Sequence, residues 1–143
     1  MELSERPASV DLWFADPART SEALKARYLG LCSPAELARY ARITHEETRS
    51  QHLLTRALVR TTLSRYGPHK PEAWRFVDND HGCPFIDPEQ ASGGLHFNVS
   101  HTRGLVVCAV TRGRALGVDI EYEPRKSGTA KIAKRFFSPQ EVK

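Results

Sequence analysis

No stretch of this 143-residue sequence is both long and apolar enough to cross a bilayer, since a spanning helix needs about 20 consecutive apolar residues. Cysteine is scarce. The three present, Cys32, Cys83 and Cys108, are odd in number, scattered, and lack metal-ligand spacing. That argues against a disulfide framework or a zinc site and for reduced thiols in a cytosolic protein. Internal repeats and low-complexity tracts are absent, which excludes solenoid and linker architectures. Strong charge of one sign is also missing: 21 Lys and Arg against 17 Asp and Glu leave a net +4. So mild a basic balance suits a protein handling small anions or acidic partners, and by itself equally suits nucleic acid. What is present, 40% hydrophobic and 27% charged residues, fits one modest soluble domain with its own core.

Taken in order, the chain alternates helical and extended signals. Residues 10–15 read as an opening strand between Pro7 and Pro17, and residues 21–29 as a helix capped by Ser21, with Leu24, Tyr28 and Leu29 at helical spacing. Ser33-Pro34-Ala35-Glu36 is a helix start with cap, first-position proline and third-position glutamate. Its helix should turn Leu37, Tyr40 and Ala41 inward and Arg39 and Arg42 outward. The longest helix is expected over residues 46–66, ending at Gly67-Pro68, with an apolar stripe of Leu53, Leu54, Ala57 and Leu58. Arg49, His52, Arg56 and Arg60 recur at spacings of three and four and share a separate face. A solvated basic face is the commoner fate of such a row; an anion site is the other. Residues 74–77 and 84–86 read as strands about an Asp-Asn-Asp-His-Gly turn, and residues 89–94 as a polar loop. Residues 105–110 are apolar throughout and should be a buried strand. Residues 129–137 are expected to form a short helix with Ile132 and Phe136 on its apolar side.

Two stretches carry the chemistry. In residues 95–100, alternation puts Leu95, Phe97 and Val99 on one face and His96, Asn98 and Ser100 on the other. The strand is then expected to stop at Ser100-His101-Thr102-Arg103-Gly104, a loop of hydroxyl, imidazole and guanidinium donors suited to an anion, or simply a polar turn. In Gly117-Val118-Asp119-Ile120-Glu121, a strand points both carboxylates one way and Val118 and Ile120 the other. Paired carboxylates of this kind are hard ligands that Mg²⁺ accepts, completed by water and substrate phosphate; alone, the pair reads more simply as a solvated strand face. Together the two stretches suggest chemistry on a phosphorylated substrate.

Phe97-Asn98-Val99-Ser100-His101-Thr102, Gly117-Val118-Asp119-Ile120-Glu121 and Arg135-Phe136-Phe137-Ser138-Pro139-Gln140-Glu141, in that order and spacing, resemble the 4′-phosphopantetheinyl transferase superfamily, in its surfactin-synthetase-activator-like, two-half branch. The resemblance runs from about Leu31 to the end. It implies an α+β fold, the first half of a pseudo-twofold architecture in which an antiparallel sheet packs against a long helix. Residues 1–122 would form the N-terminal half, and residues 123–143 a linker and the truncated start of the second. Ser138-Pro139-Gln140-Glu141 is a further helix start, so the sequence is expected to continue into a Trp-x-x-Lys-Glu segment past Lys143. The implied activity is that of a holo-[acyl-carrier-protein] synthase: Mg²⁺-dependent transfer of 4′-phosphopantetheine from coenzyme A to a serine of an apo acyl or peptidyl carrier protein. Coenzyme A would lie across the Ser100-His101 loop, its 3′-phosphate met by Ser100, His101, His52 and Arg39. Asp119 and Glu121 would hold the metal and act as the catalytic pair. The family's Gly-Lys-Pro block is Gly82-Cys83-Pro84 here: a phosphate-contacting lysine is replaced by cysteine, and a lower coenzyme A affinity is expected unless His81 or Lys70 compensates. Neither a nucleic-acid nor a membrane partner is expected, because no aromatic residue interleaves the basic helix face and no nucleic-acid motif occurs. The competing reading is a coenzyme A-binding or partner-binding piece without catalysis of its own.

Overall fold

The computed structural model describes residues 9–78, 80, 82–91, 93–113, 117–124 and 130–137, the last two segments by their backbone alone. Local signals start the chain as expected. Strand β1 (Asp11–Ala15) leads to helix α1 (Glu22–Leu29), where the Ser21 hydroxyl accepts from the Leu24 N–H at 3.2 Å. Helix α2 (Pro34–Arg42) opens with a complete capping box. The Glu36 N–H donates to the Ser33 hydroxyl at 3.2 Å, and the Ser33 N–H donates to the Glu36 carboxylate at 2.9 Å. Leu37 and Ala41, expected inside, face outward, Leu37 with 37% of its surface exposed. The cause is that α2 meets α3 through Glu36 and Tyr40 rather than through its aliphatic side chains.

Helix α3 (Glu46–Leu63) ends three residues short of the sequence expectation, where Ser64 caps it and residues 64–66 form a turn. Gly67 follows because a Cβ there would sit 2.6 Å from the Trp74 ring. Strands β2 (Phe76–Asp78) and β3 (Pro84–Ile86) make a short hairpin, so Trp74, expected in the first of them, instead lies before it in the core. Strands β4 (Leu95–Thr102) and β5 (Leu105–Arg112) pair residue for residue, and with β1 form an antiparallel sheet in the order β1-β5-β4. The turn between β4 and β5 is Arg103-Gly104 only, with Gly104 at φ +83°. Ser100 and His101 are therefore strand residues, not loop residues.

One face of this sheet packs on α3. Val59 and Leu63 of the helix meet Trp74, Ile86, Phe97, Cys108 and Val110, all buried. The alternation expected in β4 holds, with Leu95 and Phe97 buried and Val99 packed against the same cluster. Edge strand β1 is tied to the end of α3 by a polar relay: the Trp13 indole donates to the Tyr66 hydroxyl at 2.8 Å, which donates to Asp11 at 2.6 Å.

Strand β6 (Gly117–Pro124) runs beside β4 and pairs antiparallel with β7 (Ala130–Phe137). Residues 130–137 are thus extended, and the expected helix there is not formed. A helix of that length is marginal without a packing surface, whereas pairing with β6 gives both backbones hydrogen-bond partners. The helix start at residues 138–141 and the loop 125–129 lie outside the described residues. The α+β class and the antiparallel sheet against one long helix agree with expectation.

Among the described residues Arg60 is the most deeply buried charge, 1% exposed, and is matched by Glu36 and two main-chain carbonyls. Arg60→Ala should destabilise the fold by about 3–5 kcal/mol, because it leaves the Glu36 carboxylate without its partner. Urea denaturation of both proteins measures this; a loss below about 1 kcal/mol would contradict it.

Candidate functional site

The four basic residues expected to share one face of α3 have different surroundings. Arg60 points into the protein. Its Nε and Nη2 donate to Glu36 Oε1 at 2.9 and 2.8 Å, and its Nη1 donates to the carbonyls of Pro71 and Trp74 at 3.0 and 2.7 Å. Its role is structural. Arg49 lies over the Tyr40 ring, 4.9 Å from the centroid, and pairs with Glu46 at 3.4 Å. His52 and Arg56 line a cleft of about 430 Å³ between α2, α3 and the β2–β3 hairpin, whose wall the paired Arg60 also joins.

Across that cleft stand Arg39 of α2, Arg75, and the carboxylates of Glu36, Asp78 and Asp87. Most of the opposing charge is already paired. Arg75 bonds Glu89 at 2.8 Å and Asp87 at 3.4 Å, while Glu36 Oε1 is occupied by Ser33 and Arg60. Arg56 Nε is 4.0 Å from Glu36 Oε2, too far for a hydrogen bond. Arg39 makes no ion pair among the described residues. Among the described residues three buried side-chain nitrogens lack a hydrogen-bond partner: Arg49 Nε, His52 Nε2 and Arg56 Nε. An unpaired buried donor costs about 1–3 kcal/mol, so two orphans at a cationic cleft describe a place that an oxyanion would satisfy.

The same surroundings shift the titration of the ring. Burial, then the positive charges of Arg56 and Arg39, hold His52 below the ordinary histidine range, and the main chain and carboxylate of Glu36 oppose them. Burial likewise lowers Arg56, with Glu36 opposing. Two thiols go the other way: burial pushes Cys32 to about 11 and Cys108 to about 12, so neither is a nucleophile near neutral pH.

Of the sequence-predicted anion-binding residues, Arg39 and His52 meet in this cleft. Ser100 and His101 are not among its lining residues. The link between the two groups is Gln51, next to His52, whose side-chain amide donates to the Thr102 carbonyl at 2.8 Å and so fixes the end of β4 against α3. Asp119 and Glu121 sit two apart in β6, opposite Arg135 and Ala133 in the ladder, and their side chains lie outside the described residues. Among the described residues no three His, Cys, Asp or Glu side chains cluster as metal ligands. Cys83 is exposed beside Pro84, which lines the cleft; Lys70 does not line it, and His81 lies outside the described residues. Sequence reasoning missed Glu36 as a site residue and saw in it only a helix cap. The available signal was a capping glutamate one helix ahead of a row of arginines.

A larger cleft, about 940 Å³, lies at the start of α3 between Lys25, Gln51 and the Arg103-Gly104 turn. It holds none of Arg39, His52, Ser100 and His101, but Arg103 and Gly104 of the expected anion-binding stretch line it, together with Glu46 and Glu47. The smaller cleft gathers four guanidinium groups, Arg39, Arg56, Arg60 and Arg75, where the larger holds that of Arg103.

No family model matches the chain. Among curated proteins, it is 37% identical over 109 residues to the 4′-phosphopantetheinyl transferase HetI of Nostoc sp. (strain PCC 7120), covering 76% of this chain and 46% of that protein. The chain belongs to the 4′-phosphopantetheinyl transferase family. It is also 35% identical over 115 residues to the 4′-phosphopantetheinyl transferase Sfp of Bacillus subtilis, covering 80% of this chain and 49% of Sfp. A third transferase, from Aneurinibacillus migulanus, is 31% identical over 102 residues. The chain spans about half the length of the relatives it matches. No helix among the described residues is long and apolar enough to cross a membrane.

A ring held below its ordinary range makes native stability depend on pH. Below about 6.5 the unfolded chain binds a proton that the folded ring resists, so stability is full above that pH and falls as the pH drops. The melting temperature should decline between pH 7 and 5.5, and decline less in His52→Gln. Parallel curves for the two proteins would refute this assignment.

Proposed function

We propose that the protein transfers 4′-phosphopantetheine from coenzyme A to a serine of an apo carrier protein, and that this chain supplies the phosphate site and part of the metal site. The observation that carries the reading is the convergence of Arg39, His52 and Arg56 on one cleft in a chain of this family. Residues 1–122 would form the half that faces coenzyme A, with residues 123–143 leading into the second. The reduced thiols suit a cytoplasmic protein.

Arg39, His52 and Arg56 bind and orient the phosphates of coenzyme A, and Ser100 and His101 at the end of β4 extend that contact. Arg56 and Arg75 put cations on the cleft that Cys83, standing where the resemblance has lysine, does not supply. As the carrier serine attacks the phosphorus next to the pantetheine arm, negative charge grows on the departing adenosine 3′,5′-bisphosphate. Fixed guanidinium groups stabilise it there without reorganising, and no covalent enzyme intermediate is required. Asp119 and Glu121 suit Mg²⁺ by the chemistry of the donors, two hard carboxylates at alternate positions of one strand. When bound, the ion would neutralise charge on the pyrophosphate.

The test is the intact mass of an apo carrier protein incubated with this chain, coenzyme A and Mg²⁺. A gain of one phosphopantetheine, lost in Asp119→Ala, supports transfer by these residues. No gain, with coenzyme A bound by the chain in calorimetry, leaves a coenzyme A-binding piece that does not transfer. Neither gain nor binding would refute the proposal.

A further inference from the structure

His52 occupies an unusual position in the cleft. It projects from α3 beside Arg56, one turn further along the same helix, and faces Arg39 and the main chain of Glu36 on α2. On the β2–β3 side stand Arg75, Asp78 and Asp87. The acidic groups are largely committed elsewhere: Glu36 to Arg60 and Ser33, Asp87 to Arg75, while Asp78 acts on Arg56. An imidazolium in the cleft would be a further cation beside Arg39 and Arg56, answered only in part by Glu36. Burial and the two guanidinium groups disfavour protonation of the ring there, and its Nε2 is buried without a partner.

A phosphate reverses that balance. It brings acceptor oxygens to the unpaired nitrogens and negative charge to the two guanidinium groups that make a protonated ring unfavourable. A phosphomonoester carries about −1.5 to −2 at neutral pH and a diester about −1, so the monoester offsets more of the cost of an imidazolium. Building on the coenzyme A reading above, we infer that His52 takes up a proton when a phosphate enters the cleft, and so sets the cleft's preference for a phosphomonoester over a phosphodiester. The charge that completes the site is made on binding. Affinity for the monoester therefore rises as pH falls from 8.5 toward 7, where the ligand's own second ionisation, near pH 6, contributes little.

The experiment is titration calorimetry of the chain with adenosine 3′,5′-bisphosphate at pH 7.5, in two buffers of different ionisation enthalpy. The expected result is uptake of roughly half to one proton per ligand, absent in His52→Gln. Coenzyme A should lose more affinity in that variant than dephospho-coenzyme A, which lacks the monoester. The wild-type measurement alone is enough to refute the inference, whatever the variant's stability. Binding with the same observed enthalpy in both buffers, once dilution is subtracted, overturns it and leaves the coenzyme A reading intact. No binding of coenzyme A or the bisphosphate overturns that reading, and this inference with it.

Discussion

One oxygen of the Glu36 carboxylate receives the Ser33 main-chain N–H at 2.9 Å and two nitrogens of Arg60 at 2.9 and 2.8 Å, and the cleft depends on that convergence. The first contact closes the capping box of α2, and the others bring Arg60 of α3 in under it. Because Arg60 also donates to the carbonyls of Pro71 and Trp74, the same contact seats the segment that precedes the β2–β3 hairpin. Three walls of the cleft are thereby set by one ion pair. A buried pair of this kind gains little net stability over an apolar replacement, because both charges were well solvated in water. Its effect is geometric, since few other placements of α2 on α3 satisfy every donor.

That arrangement leaves the cleft incompletely satisfied. Arg60 takes most of the Glu36 charge, so Arg56 is held near the carboxylate without bonding it, and Arg39 faces solvent with no ion pair among the described residues. Unpaired buried nitrogens on His52 and Arg56 are a local cost that the rest of the core offsets. Sites that bind ions commonly carry such a cost, because a protein that satisfied these groups internally would have nothing left to offer a ligand. On the function proposed above, the phosphates of coenzyme A would meet that need.

Legibility in the sequence followed the range of the interactions. Ser33 to Glu36 was readable as a helix start because a cap is completed within four residues. The alternation of Leu95, Phe97 and Val99 was readable because a strand has a fixed two-residue period. Residues 129–137 read as helix by the periodicity of that segment alone, whereas their strand state depends on pairing with the preceding strand, β6. A run of polar residues resembles a turn, so by sequence alone Ser100 and His101 read as loop. The structure continues β4 through Thr102 and turns on Arg103-Gly104 alone.

By itself the sequence determined the caps, the alternating strands, the long amphipathic helix and, through three short motifs in order, the family. Each of these is encoded by neighbours along the chain or by residue identity. Only the tertiary structure decided which members of the basic row would be buried, paired or left facing a cleft. Arg49, His52, Arg56 and Arg60 are equivalent by helical spacing, and their fates diverge according to what α2 and the β2–β3 hairpin bring against them. The contact that settles Arg60 joins residues 24 apart. Local periodicity carries no information about an electrostatic partner at that distance, because the attraction is decided by packing in space rather than by order along the chain.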